Sequence, residues 1–202
     1  MIKRGLGNRT FAFVLFIAST MTPALAQEPA AREPATPEPA TQEQGMELSS
    51  ADRKFVEQAA AGGMMEITTG RLAAERGTSQ EVKAYGQRMV EEHSRANGEL
   101  LQLAAKKGAT MSDNDRAKHA RDMAKARDKL SKYSGEEFDR MYMKMQVQDH
   151  EKMVALLERA AESGADADLK AWAAKMLPAV REHLEMARTH SQAATAEKTT
   201  DM

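Results

Sequence analysis

Four ionisable side chains lie on apolar stripes of this sequence, one in each of four segments that have the periodicity of a helix. They are Glu66, His93, His150 and His183. Stripe residues at steps of three and four place each of them on a helix face that packs into a core. A carboxyl or imidazole group on such a face must be paired, hydrogen-bonded or bound to a metal ion. One such group per helix predicts a polar cluster inside a four-helix bundle, where bundles build metal and cofactor sites.

The predicted helices place these four residues at similar depths. At roughly 1.5 Å per residue, Glu66 and His93 lie about 15 and 20 Å from the turn between the first two long helices. His150 and His183 lie about 20 and 25 Å from the turn between the last two. Three histidines and a carboxylate would suit one divalent ion of zinc, iron or manganese, with one coordination position open. Binding would need neutral imidazoles, so with ordinary histidines the affinity should fall below about pH 6.5.

Two other interpretations of the histidines stay open, namely a buried hydrogen-bond network and partly exposed side chains. Gln146 and Asp139 lie on nearly the same helix face as His150 and are predicted as its partners or as additional ligands. Glu92 is adjacent to His93 in sequence, and adjacent residues of a helix do not face each other.

Other polar and aromatic residues give weaker predictions. His119 lies on a highly charged segment and His190 lies near the end of the last helix, so both are expected to face solvent. Tyr85 and Tyr142 are expected to pack in the core, with a hydroxyl in the polar network as the alternative. The chain has no phosphate-binding loop, dinucleotide fingerprint, catalytic Ser/His/Asp spacing or His-Glu-x-x-His run. An enzymatic function therefore has the least support.

The apolar pattern predicts an all-α fold with four long helices, one short charged helix and no strand. The predicted bounds are Asp52–Arg76, Gln80–Lys107, Asp115–Lys132, Glu136–Ser163 and Asp166–His190. Short links join the long helices into two antiparallel hairpins. The segment 109–134 is too polar for a core helix and is expected to cross outside the bundle between the second and third long helices. Two hairpins joined by one long crossover is a ferritin-like connectivity.

The ends of the chain differ from its middle. Residues 1–26 have a basic start, a short apolar run and the small-residue site Ala24-Leu25-Ala26, which together predict a cleaved secretory signal. An uncleaved membrane anchor is the alternative. Residues 27–49 are rich in Pro, Ala and Glu and are predicted as a disordered linker, and residues 191–202 as a disordered tail. This leaves residues 50–190 as one folded domain in a periplasmic or secreted protein, or one held at the outer membrane.

Composition narrows the classes of partner. The formal net charge is −1, and loss of the three basic side chains of the signal segment brings the mature chain to about −4. With no basic face, nucleic acid is not an expected partner. The sequence has no cysteine, which excludes a lipoprotein anchor, disulfides and thiolate chemistry.

Several short motifs are shared with a known family. They are Asp52-Arg53-Lys54-Phe55-Val56 with Gly63 and Glu66, Met89-Val90-Glu91-Glu92-His93, Ser134-Gly135-Glu136-Glu137-Phe138-Asp139 with Tyr142, Val147-Gln148-Asp149-His150, and Leu177-Pro178 with His183-Leu184. With these motifs the chain resembles the bacterial domain-of-unknown-function 4142 family over about residues 50–190. The resemblance implies a ferritin-like fold in an exported or outer-membrane protein whose activity is unsettled.

The three histidines lack the partners of a di-iron site. Di-iron carboxylate proteins carry Glu-x-x-His on two helices, whereas Val90, Val147 and Val180 stand three residues before the histidines here. A single-metal site, or none, therefore fits better than oxygen-activating di-iron chemistry. The first functional hypothesis is an exported protein that binds one metal ion for metal handling or stress protection. The alternative is a non-catalytic envelope scaffold that binds another envelope protein and whose histidines are structural.

Overall fold

The computed structural model describes residues 47–200, with side chains to residue 192. Over this range it contains five helices and no strand, so the predicted all-α class is confirmed. The helices are α1 (Ser50–Arg76), α2 (Gln80–Lys106), α3 (Asp113–Leu130), α4 (Gly135–Ser163) and α5 (Ala167–Thr200). All bounds agree with the predicted ones to within two residues except the end of α5, which continues ten residues past His190. The predicted signal segment and residues 27–46 of the predicted linker lie outside the described residues.

Short polar residues and glycines set the helix ends. The side chain of a serine accepts a hydrogen bond from the third amide of the following helix at Ser49, Ser79 and Ser112. Gly77 ends α1 and Gly164 ends α4, each with its amide bonded to a carbonyl of the last turn. Gly108 follows α2 with φ of 68°, a left-handed conformation that glycine adopts without steric cost.

The helices pack as two hairpins. α1 packs along α2 and α4 packs along α5, while α1 also contacts α4 and α2 contacts α5. Two apolar clusters form the core. One contains Phe55, Leu100, Leu157 and Leu169, and the other contains Val82, Met89, Phe138 and Met143. Along each of the four long helices, the predicted site residue lies between these two clusters, so hydrophobic packing on both sides positions the polar layer.

Each hairpin turn is bound by an aspartate of the other hairpin. The Asp139 carboxylate of α4 accepts hydrogen bonds from the amides of residues 78 and 79, at 2.9 and 2.8 Å. The Asp52 carboxylate of α1 accepts from the amides of residues 165 and 166, at 3.3 and 3.2 Å. Both acids thereby satisfy free amides where a helix begins, a position that also favours negative charge. The prediction of Asp139 as a partner or ligand of His150 is therefore wrong, because its carboxylate is used at this turn.

α3 packs against α1. His119 of α3 is only 9% exposed, and its Nε2 lies 3.2 Å from Glu57 Oε1 of α1. The expectation that His119 faces solvent is wrong, since even this charged helix has one face against α1. His190 is half-buried, with its ring 6.5 Å from that of Tyr85. No helix within residues 47–200 has a stretch long and apolar enough to span a membrane.

Candidate metal centre

Three histidines from three helices meet in the interior. His93 of α2, His150 of α4 and His183 of α5 are 6%, 1% and 2% exposed. Their ring centroids form a nearly equilateral triangle with sides of 5.6, 5.5 and 5.5 Å. One ring nitrogen of each lies within 4.8 Å of the others, and among the described residues this is the one group of His, Cys, Asp and Glu side chains with such spacing. The structure thus brings together the three histidines that the sequence places on apolar stripes.

Hydrogen bonds determine the tautomers of two of these rings. His150 Nδ1 donates to the backbone carbonyl of Gln146 at 3.0 Å, because a carbonyl can only accept. His183 Nε2 donates to Glu92 Oε2 at 2.8 Å. Three nitrogens have no hydrogen-bond partner within the described part of the chain, namely His93 Nε2, His150 Nε2 and His183 Nδ1. We call these three atoms the unpaired ring nitrogens.

Burial keeps the three imidazoles neutral. Burial, together with a smaller effect of repulsion from neighbouring imidazoles, lowers the pKa of His93 to about 3 and that of His150 to about 4. Burial also lowers the pKa of His183, although Glu92 acts in the opposite direction. A neutral imidazole is the form that binds a metal ion, so near pH 7 the ligands need not lose a proton first.

Glu92 supports the centre from outside, a role that the sequence analysis missed. Partial burial raises the pKa of its carboxyl, but hydrogen bonds from Arg88 and His183 outweigh this and lower it below the ordinary value. Arg88 Nε lies 2.7 Å from Glu92 Oε1 and the Arg88 guanidinium also binds Glu182 at 2.9 Å. A carboxylate that receives the second N–H of a histidine is a regular feature of metal sites, where it orients the ring and raises its basicity.

Glu66 is buried near the centre but is not part of the three-histidine group. It is 4% exposed, and burial raises the pKa of its carboxyl to about 8, an effect that the Gln146 side chain only partly offsets. Near pH 7 it is therefore mostly a neutral acid, which is a poor metal ligand. Of the predicted set of one carboxylate and three histidines, the structure thus brings together only the histidines.

The interior around the centre holds further polar atoms without partners. Within residues 47–192 these are Glu66 Oε2, the Tyr142 hydroxyl, both Nε2 and Oε1 of Gln146, and Trp172 Nε1. By contrast, the Tyr85 hydroxyl donates to the backbone carbonyl of His183 at 3.2 Å. Gln146 was predicted as a partner or an additional ligand of His150; the bond that the structure shows is to its backbone carbonyl, and its side-chain nitrogen and oxygen have no partner. Buried polar groups normally have partners, so these atoms are available to bind a ligand or water molecules.

Comparison with known proteins gives one result. Neither a search of curated proteins nor a search of solved structures gives a match. A sequence model described as "Domain of unknown function (DUF4142)" matches residues 36–189, which include all five helices except the end of α5. This agrees with the resemblance carried by the sequence motifs, and the match extends over more than half of the chain. The chain belongs to the family of that domain, DUF4142.

Proposed function

We propose that this protein binds one divalent transition-metal ion through His93, His150 and His183, for metal handling or stress protection in the bacterial envelope. The observation that carries the proposal is the set of three buried imidazoles, one from each of three helices. Each has an unpaired ring nitrogen, and a nitrogen of each lies within 4.8 Å of the others. Helix bundles usually build metal sites in this way, with ligands from several helices in the middle of the core.

Hydrogen bonds between protein groups do not satisfy this arrangement. The bonds made by His150 Nδ1 and His183 Nε2 leave the second nitrogen of each ring as an acceptor. Neutral His93 has one N–H, so it can donate to one of these acceptors at most. A buried acceptor without a donor costs about 1–3 kcal/mol. A metal ion can accept a lone pair from all three nitrogens at once.

The spacing is compatible with coordination after small side-chain movements. Zinc–nitrogen bonds of about 2.0–2.1 Å at tetrahedral angles separate two ligand nitrogens by about 3.4 Å. The nitrogens here lie within 4.8 Å of one another, so each nitrogen–nitrogen distance must shorten by about 1.4 Å at most. Rotation of the side chains can supply such a movement without displacing the helices.

The ligand set favours zinc or iron over manganese. Neutral imidazoles suit zinc, copper, nickel and iron, whereas manganese prefers carboxylate oxygens. The one buried carboxyl near the centre, Glu66, is mostly protonated near pH 7 because its pKa is about 8. Three histidines would hold zinc with a fourth position open to an outside ligand.

The proposal includes a ferritin-like architecture and export. Two hairpins, α1 with α2 and α4 with α5, contact each other through α1–α4 and α2–α5, and α3 packs on α1 as a crossover would. The basic and apolar composition of residues 1–26 supports export and cleavage after Ala26.

A non-catalytic scaffold is the second candidate, and one observation favours it. The reciprocal bonds of Asp52 and Asp139 to the opposite hairpin turns hold the two hairpins together without any metal. In that case the histidines would be structural, and the protein would act by binding an envelope partner.

Elemental analysis of protein purified without an affinity tag separates the two candidates. After loading with zinc and extensive dialysis, the wild-type protein should retain about one equivalent. His150→Ala should retain little, whereas the control His190→Ala should match the wild type, because His190 lies outside the three-histidine group. Absence of retained zinc, iron and manganese from the wild type would leave the scaffold as the better account.

A further inference from the structure

A cavity reaches the centre from one side of the molecule. It lies between α2, α4 and α5, has a volume of about 210 Å³, and has His93 and His183 on its wall. Most of the remaining wall is apolar, with contributions from Ala96, Met153, Leu157, Trp172, Met176 and Ala179. The two histidines on this wall carry unpaired ring nitrogens, so the cavity borders the place where the ion would be bound.

We propose that this cavity admits a small, uncharged, largely apolar molecule of about one ring, which binds the ion through a single nitrogen or oxygen atom. This inference rests on the proposed function, because the ligand takes the coordination position that the three histidines leave open. It assigns a substrate or ligand class to the site, namely monodentate one-ring Lewis bases.

The size and lining of the cavity select this class. An apolar protein cavity of about 150 Å³ holds one benzene molecule, so about 210 Å³ has room for a slightly larger one. Of the four charged residues of the lining, Glu99 and Lys175 pair with each other at 2.8 Å, Glu92 is bonded to Arg88 and His183, and Arg95 is exposed to solvent. The buried part of the wall next to the histidines therefore offers no free counter-charge, so a charged ligand there would lose water without compensation.

Two alanines keep the cavity open next to the ring ligands. Ala96 lies three residues after His93 on α2, and Ala179 lies four residues before His183 on α5. These spacings put each alanine on the same helix face as its histidine. A phenylalanine at either position would fill the space in front of the ring without removing a ligand. Ala174 is exposed on α5 and does not line the cavity, so it offers a matched control.

The test uses protein loaded with cobalt(II), whose visible absorption reports the coordination of the ion. Titration of the wild type with 1-methylimidazole should change the spectrum with saturation. Ala96→Phe and Ala179→Phe should each keep about one equivalent of cobalt and bind the probe at least tenfold more weakly. Ala174→Phe should behave as the wild type does.

A second measurement needs no variant. The two-ring probe 1-benzylimidazole should bind the wild type at least tenfold more weakly than 1-methylimidazole, because the cavity has room for about one ring. Cobalt binding without a spectral response to 1-methylimidazole, or equal affinity for the two probes, would overturn the inference and leave the metal site standing. Failure of the wild type to bind cobalt at all would instead contradict the proposed function.

Discussion

The Glu92 carboxylate of α2 accepts a hydrogen bond from His183 Nε2 of α5, at 2.8 Å. This contact joins the two hairpins at the level of the histidine cluster. It also determines which nitrogen of His183 is protonated, because the carboxylate can only accept. Nδ1 is thereby left with a lone pair, and it is one of the three unpaired ring nitrogens. Glu92 is in turn held by Arg88 at 2.7 Å, so its position does not depend on the histidine alone.

Replacing Glu92 should therefore weaken metal binding without removing a ligand. We expect Glu92→Gln to lower zinc affinity by about 10- to 100-fold, because loss of the charge reduces the basicity of His183 and loosens its orientation. Competition with a chromophoric chelator measures the change. Glu91→Gln is the matched control, since Glu91 is exposed on the same helix. Equal affinities of the two variants would show that the Glu92–His183 contact has no role in binding.

Zinc affinity should be nearly independent of pH between 7 and 5.5. Three histidines of ordinary pKa would lose roughly 600-fold in affinity over this range, because each would be mostly protonated at pH 5.5. Here burial lowers the pKa of His93 to about 3 and of His150 to about 4, and that of His183 is lowered as well. We expect a change of less than tenfold, measured by calorimetry on folded protein. A loss of hundredfold or more would show that the folded imidazoles titrate near their ordinary pKa.

The stability of the metal-free protein should be greatest between about pH 6.5 and 7. Below pH 6.5 the unfolded chain protonates its histidines while folded His93 and His150 stay neutral until about pH 3 and 4, so stability falls as the pH falls. Glu66 acts in the other direction. Its folded pKa of about 8 lies above the unfolded value of 4.5, so its contribution is complete below pH 4.5 and is lost as the pH rises towards 8.

Glu66→Gln isolates the second of these effects. Between pH 7 and 8 the wild type should lose about 1 kcal/mol of unfolding free energy relative to the variant, because a glutamine does not titrate and the histidines act equally in both proteins. Urea unfolding in the presence of a chelator measures both proteins. An unchanged difference between the two proteins across this range would mean that Glu66 ionises normally in the folded state.

The two aspartates at the hairpin turns should matter for stability and not for metal binding. Asp139→Ala removes the acceptor of the amides of residues 78 and 79 and should cost about 1–3 kcal/mol. Asp139→Asn keeps one acceptor oxygen and should cost less than half as much. Both variants should retain the wild-type zinc equivalent. Thermal unfolding measures the loss of stability, and elemental analysis measures the retained zinc. An unaltered melting temperature of Asp139→Ala would contradict the stabilising role of these hydrogen bonds.

Periodicity was sufficient to predict the helices and the inward direction of the three histidines, because one helix face follows from spacing alone. The partners of these residues could not be predicted in the same way. Glu92, Asp139 and His119 each bond to a residue of another helix or of a turn, more than 55 positions away in sequence. Such contacts depend on the relative rotation of packed helices. Glu66 has the depth along its helix that was predicted for the site, but it lies outside the three-histidine group. Equal depth along two helices does not determine which side chains meet.

X-ray absorption at the zinc edge, on protein loaded with one equivalent of zinc and dialysed, tests the central claim most directly. The proposed site predicts three imidazole nitrogens at about 2.0–2.1 Å, with the outer-shell scattering of the rings, and one further light-atom ligand. The same measurement on His150→Ala should show fewer imidazoles or no retained zinc. A wild-type spectrum without imidazole scattering, or a dialysed protein free of zinc, would contradict the account.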